Sequence, residues 1–189
     1  FSSYNYVFYN AGKNGTGINV VFGEAVEKIP AYFFFPYSYY SSYVPKITSV
    51  TIPDGITTIG DHAFYGLDLT DITIPDSVTT IGDYAFAFCF ELTSATIGKG
   101  VTAISDSMFE EDYNLRTVVI PDSVTTIGDY AFYNTALTSV VTYNKLTSIG
   151  KYAFAYSELE SIVIPDTVTA MGESAFTNNF YLHNVQLGN

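Results

Sequence analysis

The chain is short of the residues on which many small-protein chemistries depend. Its 189 residues include one cysteine, two histidines, two methionines and no tryptophan, and only 7 lysines and arginines against 19 aspartates and glutamates. A single cysteine excludes an internal disulfide framework and a cysteine-built zinc site. The formal charge of −12 argues against binding nucleic acid or an anionic membrane through a basic face, because Lys and Arg carry such binding. Charged residues reach only 14% while apolar residues make up 48%, too apolar for a disordered acidic chain. No apolar run approaches the ~20 residues of a membrane-spanning helix. Residue 1 is Phe, and no charged segment followed by an apolar one opens the sequence, as expected of a processed or excised chain. Aromatic residues are what is abundant, with 17 Tyr and 15 Phe.

The remaining residues are organised by a repeat. Phe recurs at Phe64, Phe86, Phe109, Phe132, Phe154 and Phe176, spaced by 22 or 23 residues. A second column, Ile47, Leu69, Leu92, Leu115, Leu137, Leu159 and Leu182, keeps the same period. Within one unit, Leu115, Val118 and Ile120 end in the alternation of a short strand with one face inward. Pro121 and Asp122 break it, since Pro cannot donate to a ladder and Asp favours turns. Val124 and Ile127 are a second inward pair, and Gly128 permits a corner. Asp129 is expected to cap a short helical turn that points Ala131 and Phe132 inward. A coil of this length cannot bury its apolar face alone, but stacked coils bury a continuous core, so the expected architecture is a solenoid.

Six regular coils and a partial last strand are expected over 47–189. Residues 18–46 read as a diverged first coil, because Val26, Ile29 and Phe34 repeat the spacing of Ile56, Ile59 and Phe64. An insertion rich in Tyr and Ser follows Phe34. Residues 1–17, an aromatic stretch and the turn Asn10 to Gly17, are expected to form a hairpin that caps the open end of the core. The whole is one structural domain.

The units IPDGITTIGDHAF, IPDSVTTIGDYAF and IPDTVTAMGESAF closely resemble the BspA-like leucine-rich repeat. The resemblance extends over about residues 18–189, with local departures. Gly98-Lys99 and Tyr143-Asn144 stand where the template has Pro-Asp. Ala95 replaces a strand aliphatic, and Met108 replaces the Ala before Phe109. The resemblance implies a leucine-rich-repeat solenoid of short parallel strands, turns and short helical or 3₁₀ segments. It also implies a non-catalytic protein-binding or adhesion module of a bacterial surface or secreted protein. A host extracellular-matrix or surface protein is the class of partner implied. The alternative is a spacer that presents another domain and has no ligand of its own.

No catalytic constellation is expected. Cys89 lies among Phe86, Phe88 and Phe90, surroundings that raise a thiol pKa and make it inert. His62 and His183 are about five coils apart and make no zinc site. The acidic columns Asp54, Asp76, Asp122, Asp166 and Asp61, Asp83, Asp106, Asp129, Glu173 have oxygen ligands suited to calcium. Lys99, Asn144 and Lys151 interrupt them, so they are read as turn and cap chemistry, with no metal and no cofactor. The stacked Thr pairs are read as a β-branched ladder.

Two surfaces remain as candidate binding sites. Val119, Val141 and Val163 are expected to point outward from the main strands of adjacent coils, flanked by Arg116 and Glu160. Tyr37, Tyr39, Tyr40 and Tyr43 alternate with Ser in the insertion, as in adaptable binding loops, or else cap the core. The last strand, Leu182 to Asn189, leaves an edge open to pairing with another copy.

Overall fold

The computed structural model describes residues 12, 14–35 and 45–188. In chain order the strands are β1 (Ile18–Val21), β2 (Lys28–Ile29), β3 (Ile47–Thr51), β4 (Thr58–Ile59), β5 (Asp71–Thr73), β6 (Thr80–Ile81), β7 (Ser94–Thr96) and β8 (Ala103–Ile104). They continue as β9 (Thr117–Val119), β10 (Thr126–Ile127), β11 (Ser139–Val140), β12 (Ser148–Ile149), β13 (Ser161–Ile164), β14 (Ala170–Met171) and β15 (Asn184–Leu187). Odd-numbered strands form one side of a solenoid, in the hydrogen-bonded groups β1-β3, β5-β7-β9 and β11-β13-β15. Even-numbered strands form a second side, as β2-β4-β6 and β8-β10-β12-β14. All pairings are parallel and, apart from a one-residue shift between Ile18 and Asn19 in β1-β3, in matching register from coil to coil, as in Ile59↔Ile81 and Ile127↔Ile149. The chain is thus a leucine-rich-repeat solenoid. Its first described coil carries β1 and β2, with Phe34 as its core ring.

The repeated apolar columns form the core between these sides. Phe64, Phe86, Phe109, Phe132 and Phe154 are fully buried. Their rings stack coil on coil, at centroid separations of 5.0 Å for Phe64–Phe86 and 5.2 Å for Phe132–Phe154. Phe34 begins the stack at 5.7 Å from Phe64, and Phe176 ends it at 5.4 Å from Phe154.

The third side departs from expectation. No described residue is helical, either α or 3₁₀. The segment around each core Phe is instead a run of turns with left-handed residues two before and two after the ring. In successive coils these include His62 (φ 54°), Tyr84 (φ 56°), Phe88 (φ 61°) and Glu111 (φ 65°). A helix would direct each N–H back along its own coil. The alternating hand directs every second one along the stack, so that Phe64 N–H donates to Ala85 O at 2.8 Å and His62 N–H to Asp83 O at 2.9 Å, while Ala63 N–H still bonds back to Gly60 O. Non-glycine residues in this region are strained, and these inter-coil bonds offset the strain. Asp129 accordingly caps no helix. Its Oδ1 accepts the Lys151 N–H of the next coil at 2.6 Å.

Gly128 also serves a purpose other than the expected corner. A Cβ placed there would lie 2.8 Å from the Asp106 backbone nitrogen, so its missing side chain lets two coils approach. Ser105 takes the same position in the preceding coil and donates its hydroxyl to Gly82 O at 2.8 Å.

Candidate protein-binding surfaces

The odd-numbered strands expose two columns of side chains. One is small and polar, as Ser94, Thr117, Ser139, Ser161 and Asn184. The other is set by the registers Thr73↔Thr96, Thr96↔Val119 and Val163↔Gln186. Strand alternation turns this second column outward, and the first coil adds Val21 opposite Thr51. Val119, Val141 and Val163 are 57%, 64% and 49% exposed. Arg116 and Glu160 are exposed three residues before Val119 and Val163 respectively. The five residues therefore share the odd-strand side, with the charges along one margin of the valine stripe. Val21, 65% exposed, extends the same column at the far end. Its first-coil register is the only sequence signal for it.

Tyr37, Tyr39, Tyr40 and Tyr43 lie outside the described residues, as do residues 1–11 of the expected hairpin. The chain leading into the insertion belongs to the core end. Phe34 is buried, and Phe35 packs on Tyr65 at 5.0 Å and edge-on to His62 at 5.4 Å. His62 is stacked between Tyr32 at 4.8 Å and Tyr84 at 4.7 Å. Burial holds its imidazole below the usual pKa, against the opposing pull of Asp61 and Asp83.

The acidic columns bind backbone. Asp61 Oδ1 accepts the Asp83 N–H at 3.1 Å, Asp106 Oδ1 the Asp129 N–H at 2.8 Å, and Asp76 Oδ1 the Lys99 N–H at 2.7 Å. These three carboxylates, like Asp129, each satisfy a backbone donor of the following coil, a structural role that needs no calcium. The first Thr of each pair does similar work in the opposite direction. Thr79 donates its hydroxyl to Thr57 O at 3.3 Å and Thr125 to Thr102 O at 3.1 Å.

Cys89 is fully buried, and its Sγ lies 3.3 Å from Phe64 O. Burial, reinforced by Asp112, pushes its thiol pKa well up. We expect no reaction with an aromatic disulfide reagent under native conditions and one equivalent of thiol after denaturation. Rapid native labelling would place Cys89 at an accessible surface instead.

One internal column escaped the sequence reading. Three residues after successive core Phe rings stand Cys89, Asp112, Thr135, Ser157 and Asn179. Most of them bond to carbonyl oxygens beside that ring stack. Ser157 donates to Phe132 O at 3.1 Å, and Asn179 Nδ2 to Phe154 O at 2.7 Å. Asp112 is the exception. Its Oδ1 accepts the Cys89 N–H at 2.7 Å, while Oδ2 is buried without a partner. Desolvation pushes this carboxyl well above the usual range, with Glu111 adding to the rise and the Cys89 N–H opposing it. The signal was the polarity of a position that apolar neighbours surround.

Among the described residues no cluster of His, Cys, Asp and Glu is arranged to hold a metal, and no helix is long and apolar enough to cross a membrane. Among the described residues the geometry offers exposed side-chain columns on the strand side.

The sequence profile of the BspA type leucine-rich repeat region matches residues 35–157 and 104–189, in six copies. A leucine-rich repeat protein from Eubacterium ventriosum is similar at 27% identity and a TM-score of 0.72, over 87% of this chain and 43% of that one. A leucine-rich repeat protein from Bacteroides ovatus is similar at 26% identity and 0.64, over 89% and 48%. The leucine-rich repeat protein of T. pallidum shares the fold at 24% identity and 0.67, over 94% and 78%. The chain thus spans about half the length of the first two. No curated protein sequence matches it.

Proposed function

We propose that this chain, which belongs to the BspA-type leucine-rich repeat family, is a non-catalytic protein-binding module of a bacterial surface or secreted protein. Its role is adhesion, and its partner a host extracellular-matrix or surface protein. The observation that carries this reading is the valine stripe. Three apolar side chains about half exposed or more stand in adjacent coils along the odd-numbered strand side, from the end of β9 to β13. They are bordered by small polar residues and by Arg116 and Glu160. Contiguous exposed apolar area on a rigid scaffold is characteristic of interaction sites. The buried Phe stack holds the stripe in place, so little ordering entropy opposes docking. Tyr37, Tyr39, Tyr40 and Tyr43 supply a second contact in this reading, with aromatic rings suited to interface hot spots.

Capture by immobilised extracellular-matrix proteins tests the proposal. Val141→Glu is expected to weaken capture at least about tenfold, or ~1.4 kcal/mol. It should change stability by only about 0.5 kcal/mol, as an exposed substitution does. A spacer would capture nothing, and equal capture by wild type and variant would remove the stripe from the interface.

A further inference from the structure

We infer that Phe90 and Tyr113 form a second docking surface, rimmed by Asp68, Glu91 and Glu111, that takes arginine side chains of a cationic peptide segment. The repeat is uneven. From core Phe to the following Leu the chain advances five residues at Phe64–Leu69, Phe132–Leu137 and Phe154–Leu159, but six at Phe86–Leu92, Phe109–Leu115 and Phe176–Leu182. In the longer coils the additional residue enters a turn, at 90–91, 113–114 and 180–181. Each of these turns begins with an aromatic residue, Phe90, Tyr113 or Phe180, which are 44%, 48% and 83% exposed. In the shorter coils the same position holds Asp68, Ala136 or Glu158. The length variation lifts rings out of the coil, and the core does not need them.

Phe90 and Tyr113 are in adjacent coils and act together. Their rings stack at 5.0 Å with an interplanar angle of 7°. The Asn114 side chain ties the two turns together by donating to Phe90 O at 2.7 Å. Beyond Tyr113 the next coil presents only Ala136. Phe90 is the one ring packed on Tyr113 among the described residues, so the outer face of Tyr113 has no ring above it.

The rim is anionic. Glu111 is fixed in place by Asn134, whose Nδ2 donates to its Oε2 at 3.0 Å, and its charge adds to burial in raising the pKa of the neighbouring Tyr113 phenol. Burial and the nearby Glu91 raise the Asp68 carboxyl, and Lys46 offsets part of that repulsion. Glu110 is likewise raised, by burial first and with Glu111 contributing. A bound cation would relieve these like-charge contacts. A planar guanidinium fits better than an ammonium, because it stacks on a ring while its fork of donors meets a carboxylate.

This surface precedes the strand side in each coil and goes beyond the valine-stripe reading, so either can fail without the other. The experiment is calorimetric titration of the 189-residue chain with a blocked peptide of five Gly-Arg units, and with its Gly-Lys and Gly-Glu counterparts. We expect saturable binding of the Gly-Arg peptide, weaker binding of Gly-Lys and none of Gly-Glu. Tyr113→Ala and Glu91→Gln should each weaken Gly-Arg binding about tenfold. Tyr113→Phe, which keeps the ring stack, should retain most of it, and Val141→Glu all of it. Circular dichroism and melting of each variant separate lost binding from lost fold. Two results would overturn the proposal. One is no saturable binding. The other is equal affinity for Gly-Arg and Gly-Lys with no response in folded Tyr113→Ala, which is diffuse attraction to a chain of charge −12.

Discussion

Phe132→Ala should destabilise the chain by about 3–5 kcal/mol in equilibrium chemical denaturation. Phe132 is fully buried and stacked on both sides, 5.6 Å from Phe109 and 5.2 Å from Phe154. Truncation removes one ring from a continuous stack and leaves a cavity that parallel coils close poorly. Their spacing is fixed by backbone bonds on three sides, including Phe132 N–H to Ala153 O at 2.8 Å. In a solenoid the loss falls on the interfaces with the two adjacent coils. Phe176→Ala is the control. That ring is only partly buried, and Phe154 is its one stacked partner among the described residues, so its removal should cost clearly less. Equal costs at 132 and 176 would mean that the stack is not what holds the coils together.

Asp112→Asn should stabilise the chain at neutral pH, by about 1–3 kcal/mol, the cost of a buried polar group left unsatisfied. The sign follows from the direction of the shift. The folded carboxyl titrates above its unfolded value of about 3.9, so folding takes up a proton. The stabilisation that comes with that proton is fully present below the unfolded pKa and is lost as pH rises through the folded one. Above that range the wild type must either bury a charge or give up the site. The amide needs no proton and can keep the acceptor that receives the Cys89 N–H. It also supplies a donor, as Asn179 does in the same column for Phe154 O and Phe176 O. The difference between the two denaturation midpoints should therefore be small near pH 4 and grow towards pH 7. The exposed carboxylates cancel in that difference. A gap that does not change with pH would show that Asp112 is ionised in the fold or reaches solvent.

The core was legible because periodicity reports it directly. Phe64 to Phe154, the Leu column through Leu159 and the second inward pairs through Ile149 are buried where their spacing placed them, while in the last coil Val168 and Leu182 are only partly buried and Met171 is exposed. The outward valines followed from strand alternation once the register was known. The turn side was not legible. Its Asp, Tyr and Ala-Phe residues suit a capped helical turn locally, but the Tyr, as at Tyr84 and Tyr130, is left-handed because the hydrogen bonds run between coils. A rule about neighbours within a chain does not see a partner 22 residues away. The same limit hid the work of Asp61, Asp76, Asp106 and Asp129, whose acceptors satisfy donors one coil on. It also hid the polar column of Asp112, because residues three beyond each Phe vary too much in type to look like a repeat. The length variation was visible as spacings of 22 and 23, but only exposure showed that the extra residue carries a ring.

The valine stripe is tested most directly by oxidative footprinting of the chain on an immobilised extracellular-matrix partner. Val119, Val141 and Val163 should lose reactivity on capture, while Val21, in the same column at the far end of the stack, stays reactive. Capture that leaves all three valines as reactive as in the free chain would contradict the account.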